Sequence, residues 1–224
     1  MTDAPALKRR PNNSAIFVCD LQEKFRPVIH EFDKVILTAN KVLRAATALN
    51  IPTYFTTQNK ARLGPVVADL TPHQAAPNCL VPDADKTLFS MWLPELTTKL
   101  SPTPTPTAGD GGKGSSQPDI VLLGIESHIC ITQTALDALR AGHRVYVLAD
   151  GVSSCNKEEV PIALARLRAE GVTVTTSESW LYEVVGDAGA PEFKQLIGIV
   201  KDSLGETRNA LQALVPLPSG GAKI

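Results

Sequence analysis

The stretch DIVLLGIESHICITQTALDALRAGHRVYVLAD, residues 119–150, reads as strand, helix, strand. Residues 119–125 form an apolar run without polar alternation, the pattern of a strand covered on both faces. From Ser127 to Ala141 the spacing is helical, and Gly142 closes the segment. RVYVLAD (144–150) is again a strand. Cys130 stands just inside the helix, where backbone N–H groups can hold an anion and so favour a thiolate.

The same alternation runs outward in both directions. SAIFVCD (14–20) is a further apolar strand, DKVILTANKVLRAATALN (33–50) an amphipathic helix, and IPTYFTTQ (51–58) a strand opened by proline. KEEVPIALARLRAEG (157–171) predicts a helix with a glycine stop and VTVTTSE (172–178) a strand, followed by helical SWLYEVVG and PEFKQLIGIVKDSL. Five strands are clear, and a sixth is placed at DKTLFSM (85–91). Strands alternating with helices of these lengths predict an α/β fold: a parallel sheet with helices on both faces.

The chain is read as one domain over 14–203, with a flexible N-terminus (1–13) and a C-terminal tail (204–224). The segment SPTPTPTAGDGGKGSSQPD, rich in Ser, Thr, Pro and Gly, marks residues 101–118 as a low-complexity loop insertion.

The formal net charge is −1, with 43% hydrophobic and 20% charged residues. This is a globular composition without the basic excess that nucleic acid or an anionic membrane would attract, so neither is expected as a partner. No secretory signal or membrane-spanning run is visible, and a cytoplasmic location is expected. Cys19, Cys79, Cys130 and Cys155 form no C-x-x-C pair and no zinc-ligand spacing with histidine, so four reduced thiols are expected. Cys19 reads as core packing in its strand, while Cys79 and Cys155 fall in loop-like segments.

In open parallel sheets ligands bind beyond the carboxyl ends of the strands. That rule selects Asp20, Gln58, Glu126 with the nearby Cys130, and Asp150; Lys86 is a further charged residue able to reach the same place. Taken singly, each has an ordinary role. Asp20 can cap a turn, Lys86 can lie in solvent, Cys130 can be a small buried hydrophobe, and Asp150 can cap the DGVSS turn. Taken together, Cys, Asp and Lys make a working nucleophile. The ammonium favours thiolate, and the carboxylate takes the thiol proton and returns it to a leaving group. Backbone N–H groups of the GIESHIC turn are placed to hold an oxyanion.

FVCDLQEKF, KTLFSMWLPEL, LLGIESHIC and VLADGVSS resemble, in order and spacing, segments of the isochorismatase-like cysteine hydrolase superfamily, nearest to the isochorismatase domain-containing proteins. The resemblance spans about Ser14 to Lys201, interrupted by the insertion. It implies a three-layer, Rossmann-like fold with a six-stranded parallel sheet and a triad at Asp20, Lys86 and Cys130. It also implies a cis peptide at Ile125–Glu126 and an oxyanion hole from the Glu126 and Cys130 N–H groups. Gln22 and Phe25 match pocket-lining positions, and Ile125 is placed with them. Gln58 and Phe89 fit either pocket lining or strand-edge packing.

Many relatives assemble as dimers or larger, so a homo-oligomer is expected. The nicotinamidase branch binds a metal through an Asp-x-His motif after its second strand. Here TTQNKARLGPVVADL (56–70) contains no histidine, and no metal or other cofactor is expected. The resulting expectation is a hydrolase of a small amide, imide or related carbonyl compound through a thioester. An interaction protein retaining the fold, or a thiol redox sensor built on Cys130, stays open beside it.

Overall fold

The computed structural model describes residues 13–100, 103–104 and 115–215. Most of the expected N-terminal segment, most of the 101–118 insertion and residues 216–224 lie outside these. Within the insertion, Thr103–Pro104 and Ser115–Ser116 pair as a short antiparallel ribbon.

Six parallel strands form the sheet: β1 (Ser14–Cys19), β2 (Thr53–Gln58), β3 (Cys79–Lys86), β4 (Asp119–Ile125), β5 (Val145–Ser153) and β6 (Thr173–Thr175). Their spatial order is 3-2-1-4-5-6. Strand order reverses between β1 and β4, and a doubly wound sheet opens its ligand crevice there. Cys19 pairs with Gly124 across that junction, so the segments leaving the two strands emerge side by side.

The central strands are buried along their whole length, as their unbroken apolar runs require. On one face lie α1 (Phe32–Ala48), α4 (Ser177–Val185), α5 (Phe193–Asp202) and α6 (Leu204–Leu214). Val35, Ile36, Ala39, Val42 and Leu43 of α1 share that core with Trp180, Leu196 and Leu214. On the other face α2 (Thr132–Arg140) and α3 (Glu159–Ala169) cover Ala15, Phe17, Cys19, Leu122 and Val147.

Three expectations are corrected. The sixth strand occupies 79–86 rather than 85–91, because Pro82, Asp83 and Asp85 interrupt the apolar pattern on an edge strand, where such residues are tolerated. Residues 204–214 are the helix α6, with Thr207, Ala210 and Leu214 buried at three- and four-residue spacing, so the tail cannot begin at 204. Asp150 caps no DGVSS turn: β5 continues through it to Ser153, and its carboxylate accepts from the Ser177 N–H (2.7 Å) and hydroxyl at the start of α4.

α6 also satisfies a buried charge. Lys41 of α1 is 2% exposed and donates to Thr207 Oγ1 at 2.8 Å, with Asp150 Oδ2 4.0 Å away. Burial lowers its pKa, against the pull of Asp150, Glu178 and Glu206. Thr207→Val is expected to cost about 1–3 kcal/mol at pH 7, because it strips a hydrogen bond from a buried ammonium. The unfolded chain holds the Lys41 proton to higher pH than the fold does, so stability tied to this residue rises with pH between the two values. Chemical denaturation should therefore show a deficit that shrinks toward pH 10. A deficit independent of pH would separate it from the Lys41 charge.

Candidate active site

Sequence alternation places the first participants. In β1, Ala15, Phe17 and Cys19 face the layer that holds α2. Asp20 comes next with φ 52°, a left-handed conformation that aspartate tolerates better than most residues. Its carboxylate accepts from Thr56 Oγ1 (2.8 Å), Lys86 Nζ (2.7 Å) and, more distantly, Cys19 Sγ (3.4 Å).

Lys86 ends β3 and is 3% exposed. Besides Asp20, its ammonium donates to Gln58 Oε1 (2.7 Å) and to the carbonyls of Phe89 (3.1 Å) and Leu88 (3.2 Å), and it lies 3.9 Å from Cys130 Sγ. Burial works against this charge, but Cys19, Asp20 and Cys130 outweigh it and raise the lysine pKa above its ordinary value. The group is a fixed ammonium.

Cys130 lies in a wide first turn, Ser127–Ile131, that leads into α2. The Ile131 N–H reaches five residues back to Glu126 O at 3.1 Å, widening the turn as π-type bonds do, often at functional sites. Thr132 Oγ1 donates to Ser127 O (2.7 Å), and Thr134 Oγ1 donates to Cys130 O (2.6 Å) while accepting from the Met91 N–H (2.9 Å). The cysteine is thereby tied to the segment beyond Lys86. The peptide Ile125–Glu126 is cis, as the resemblance implies.

Asp20, Lys86 and Cys130 thus meet at the β1/β4 junction, exposed by 1, 3 and 7%. The other candidates separate. Gln58 joins the cluster through Lys86 and braces Thr87 O with its amide (3.1 Å). Phe89 turns a half-exposed ring outward beside the cluster.

Gln22 is fully buried and does not line a pocket. Its amide is spent on the backbone, donating to Gly64 O (2.6 Å) and Gln58 O (3.2 Å) and accepting from the Gln58 N–H (2.7 Å). Phe25 packs against the α1-side core. The Ile125 side chain is also in that core, across the sheet from Cys130, because strand alternation turns it away.

The sequence reading misses Cys19. Its thiol shares the Cys130 side of the sheet, and burial, the nearby Cys130 thiol and the charge of Asp20 hold its pKa well above the ordinary value. The alternation of Ala15, Phe17 and Cys19 carries that signal.

Two groups among the described residues bring possible metal-ligand atoms within 4.8 Å of one another: Cys19, Asp20 and Cys130, and Glu126, His128 and Cys155. In the first, Lys86 already supplies the cation. In the second, the Glu126 carboxylate accepts from the Cys155 N–H (2.9 Å), and His128 Nδ1 pairs with Ser154 Oγ (2.9 Å). Cavities of about 530 and 330 Å³ lie elsewhere, lined by Lys60, Val66 and Asp83 and by His30, Pro161 and Leu214 respectively.

Cys130, Lys86 and Asp20 are thus gathered at the switch point of a doubly wound sheet. The Isochorismatase domain model matches residues 14–179, and the chain belongs to that family. Mouse isochorismatase domain-containing protein 2A is 39% identical over 193 residues, covering 86% of this chain and 84% of its own length. Isc1, a secreted isochorismatase effector of Phytophthora sojae, is 37% identical over 195 residues, 87% of each chain. Among solved structures, the MAR1 ribonuclease of Caenorhabditis elegans superposes with a TM-score of 0.77 at 33% identity, covering 95% of this chain and 99% of that one. The YcaC gene product of Escherichia coli, at 19% identity and a TM-score of 0.74 over 93% and 97% of the two chains, shares the fold.

Proposed function

We propose that the protein is a cysteine hydrolase of small amides, imides or related carbonyl compounds, with Cys130 as nucleophile. The observation that carries this reading is the position of Lys86 Nζ, 2.7 Å from Asp20 Oδ2 and 3.9 Å from Cys130 Sγ. A buried ammonium so placed stabilises negative charge on both partners.

Asp20 takes the Cys130 proton as sulfur attacks the carbonyl carbon, and the Glu126 and Cys130 N–H groups receive the oxyanion. Asp20 then protonates the departing nitrogen, leaving a thioester. Water, deprotonated by Asp20, attacks that thioester, and the proton returns to the Cys130 sulfur as the acid leaves. Apart from the attacking water, every nucleophile, acid and base in this cycle belongs to the chain, and the reading calls on no cofactor. The small exposure of Cys130 favours a compact substrate. The likeness to a ribonuclease adds RNA to the substrates worth assaying, although the net charge of −1 gives a polyanion no general attraction. Self-association, as a dimer or larger, is part of the same reading.

The test needs no substrate. Iodoacetamide alkylation of Cys130 is tracked against pH by peptide mass spectrometry in the wild type, Lys86→Met and Asp20→Ala. Lys86→Met should slow alkylation at pH 7 by about 10- to 100-fold and move the profile to higher pH. Identical profiles in all three proteins would remove the mechanism and leave the interaction-protein reading in its place.

A further inference from the structure

The strand before the candidate triad supplies a second sulfur. Cys19 Sγ and Cys130 Sγ lie within 4.8 Å of one another and of an Asp20 oxygen. Cys19 is fully buried and Cys130 is 7% exposed. Both side chains belong to one core, so no sheet or backbone separates the sulfurs. The remaining cysteines are placed otherwise: Cys79 opens β3, at the opposite end of that strand from Lys86, and Cys155 is exposed beside Glu126.

We propose that Cys19 is the resolving thiol for oxidation of Cys130 by hydroperoxides, which makes the pair a reversible modification site that switches the protein off. The proposal rests on the reading of Cys130 as a reactive thiol. Cys130 gives its proton to Asp20, its thiolate attacks the terminal oxygen of the hydroperoxide, the O–O bond breaks, and the leaving alkoxide takes that proton from Asp20 to become the alcohol. Cys130 becomes a sulfenic acid. Cys19 then gives its proton to Asp20, whose Oδ2 lies 3.4 Å from its sulfur, and attacks the Cys130 sulfur. The S–O bond breaks, and hydroxide leaves as water with the proton that Asp20 holds. Two thiols and one hydroperoxide yield one disulfide, one alcohol and one water (two waters from hydrogen peroxide itself). An external dithiol reverses the step by exchange.

The high pKa of Cys19 fits this division of labour: the buried thiol stays protonated until Asp20 deprotonates it, while the more accessible sulfur meets the oxidant. Capture by Cys19 also competes with further oxidation of Cys130 to the irreversible sulfinic acid.

The experiment treats the full chain with a small excess of hydrogen peroxide and maps the products by non-reducing peptide mass spectrometry. Dimedone traps sulfenate, and dithiothreitol followed by iodoacetamide measures recovered Cys130. The wild type should give a Cys19–Cys130 cross-link, with most of the Cys130 thiol recovered by dithiothreitol. Cys19→Ala and Cys19→Ser should give dimedone adduct and then sulfinic acid at Cys130, with recovery reduced at least fivefold. If neither variant folds, as judged by thermal melting, the wild-type cross-link map decides alone.

Sulfinic acid forming in the wild type without the cross-link, or a cross-link to Cys79 or Cys155 instead, overturns the proposal. A Cys130 that alkylates readily but ignores peroxide overturns it while leaving the hydrolase reading standing. A Cys130 inert to both reagents removes both.

Discussion

Cys130→Ala is expected to abolish turnover, lowering kcat by on the order of 10⁴- to 10⁶-fold on any amide the wild type cleaves. In the proposed mechanism Cys130 alone forms the covalent bond that divides the reaction into two easier steps, while Asp20 and Lys86, which remain in the variant, act as base and as fixed charge. The loss should fall on kcat, with KM within a few-fold, because the thiol contributes little of the surface that a substrate meets. Stability should change by no more than about 1–2 kcal/mol, since one buried sulfur is removed from the α2-side core. The check is ammonia or amine release across a panel of small amides, with intact-mass detection of an acyl adduct in the wild type only. Retention of more than a tenth of the wild-type rate would mean that the chemistry does not pass through Cys130.

Gly124→Ala is expected to have the largest structural effect. Gly124 has φ +117°, and a Cβ built there would lie 2.2 Å from the Cys19 carbonyl oxygen and 2.8 Å from its nitrogen. Both are backbone atoms of the strand paired with it, so no side chain can swing aside. β1 and β4 would have to part where Asp20 and Cys130 are brought together. A backbone clash combined with a disfavoured φ should cost at least about 3 kcal/mol, a fall in melting temperature of roughly 6–12 °C for a chain of this size. Cys130 alkylation should lose its dependence on Lys86 in the same variant. Gly171→Ala is the control, because it shares a positive φ (+96°) but has nothing within 4 Å of the added atom. It should cost only about 1 kcal/mol. Equal effects at the two glycines would show that strand spacing at the junction is not what the Gly124 change disturbs.

The fold is readable in the sequence where one periodicity dominates. The unbroken apolar runs of β1, β4 and β5 and the three-and-four spacing of α1 each admit one assignment. The reading fails where a second constraint overlies the pattern. Pro82 and two aspartates conceal β3, because an edge strand carries a polar outer side. α6 interleaves Glu206, Thr207, Arg208, Asn209 and Gln212 with its apolar residues, and the burial of Thr207, Ala210 and Leu214 against the core reveals its inner face.

At the site, strand ends and motif order select Asp20, Lys86 and Cys130, and the structure brings them together. The partners of Lys86 are not readable, because Gln58 and the Leu88 and Phe89 carbonyls approach it through a turn whose path no spacing encodes. The family resemblance assigns Gln22 to a pocket and Ile125 is placed with it, whereas alternation sends Ile125 into the opposite core and backbone hydrogen bonds consume the Gln22 amide. Cys19 reads as packing. It is packing, and its sulfur also lies within 4.8 Å of the Cys130 sulfur.

The borders of the sheet bear on how copies of this chain can meet. One border is β3, carrying Pro82, Asp83 and Asp85; the other is β6, three residues long. A proline offers no N–H to an incoming strand, clustered carboxylates repel a second copy of themselves, and three residues give little to zip against. The sheet is therefore sealed against growth by strand addition at either border. Strand addition at a border is thus disfavoured as a way for copies of the chain to meet, which leaves the helices and connecting segments.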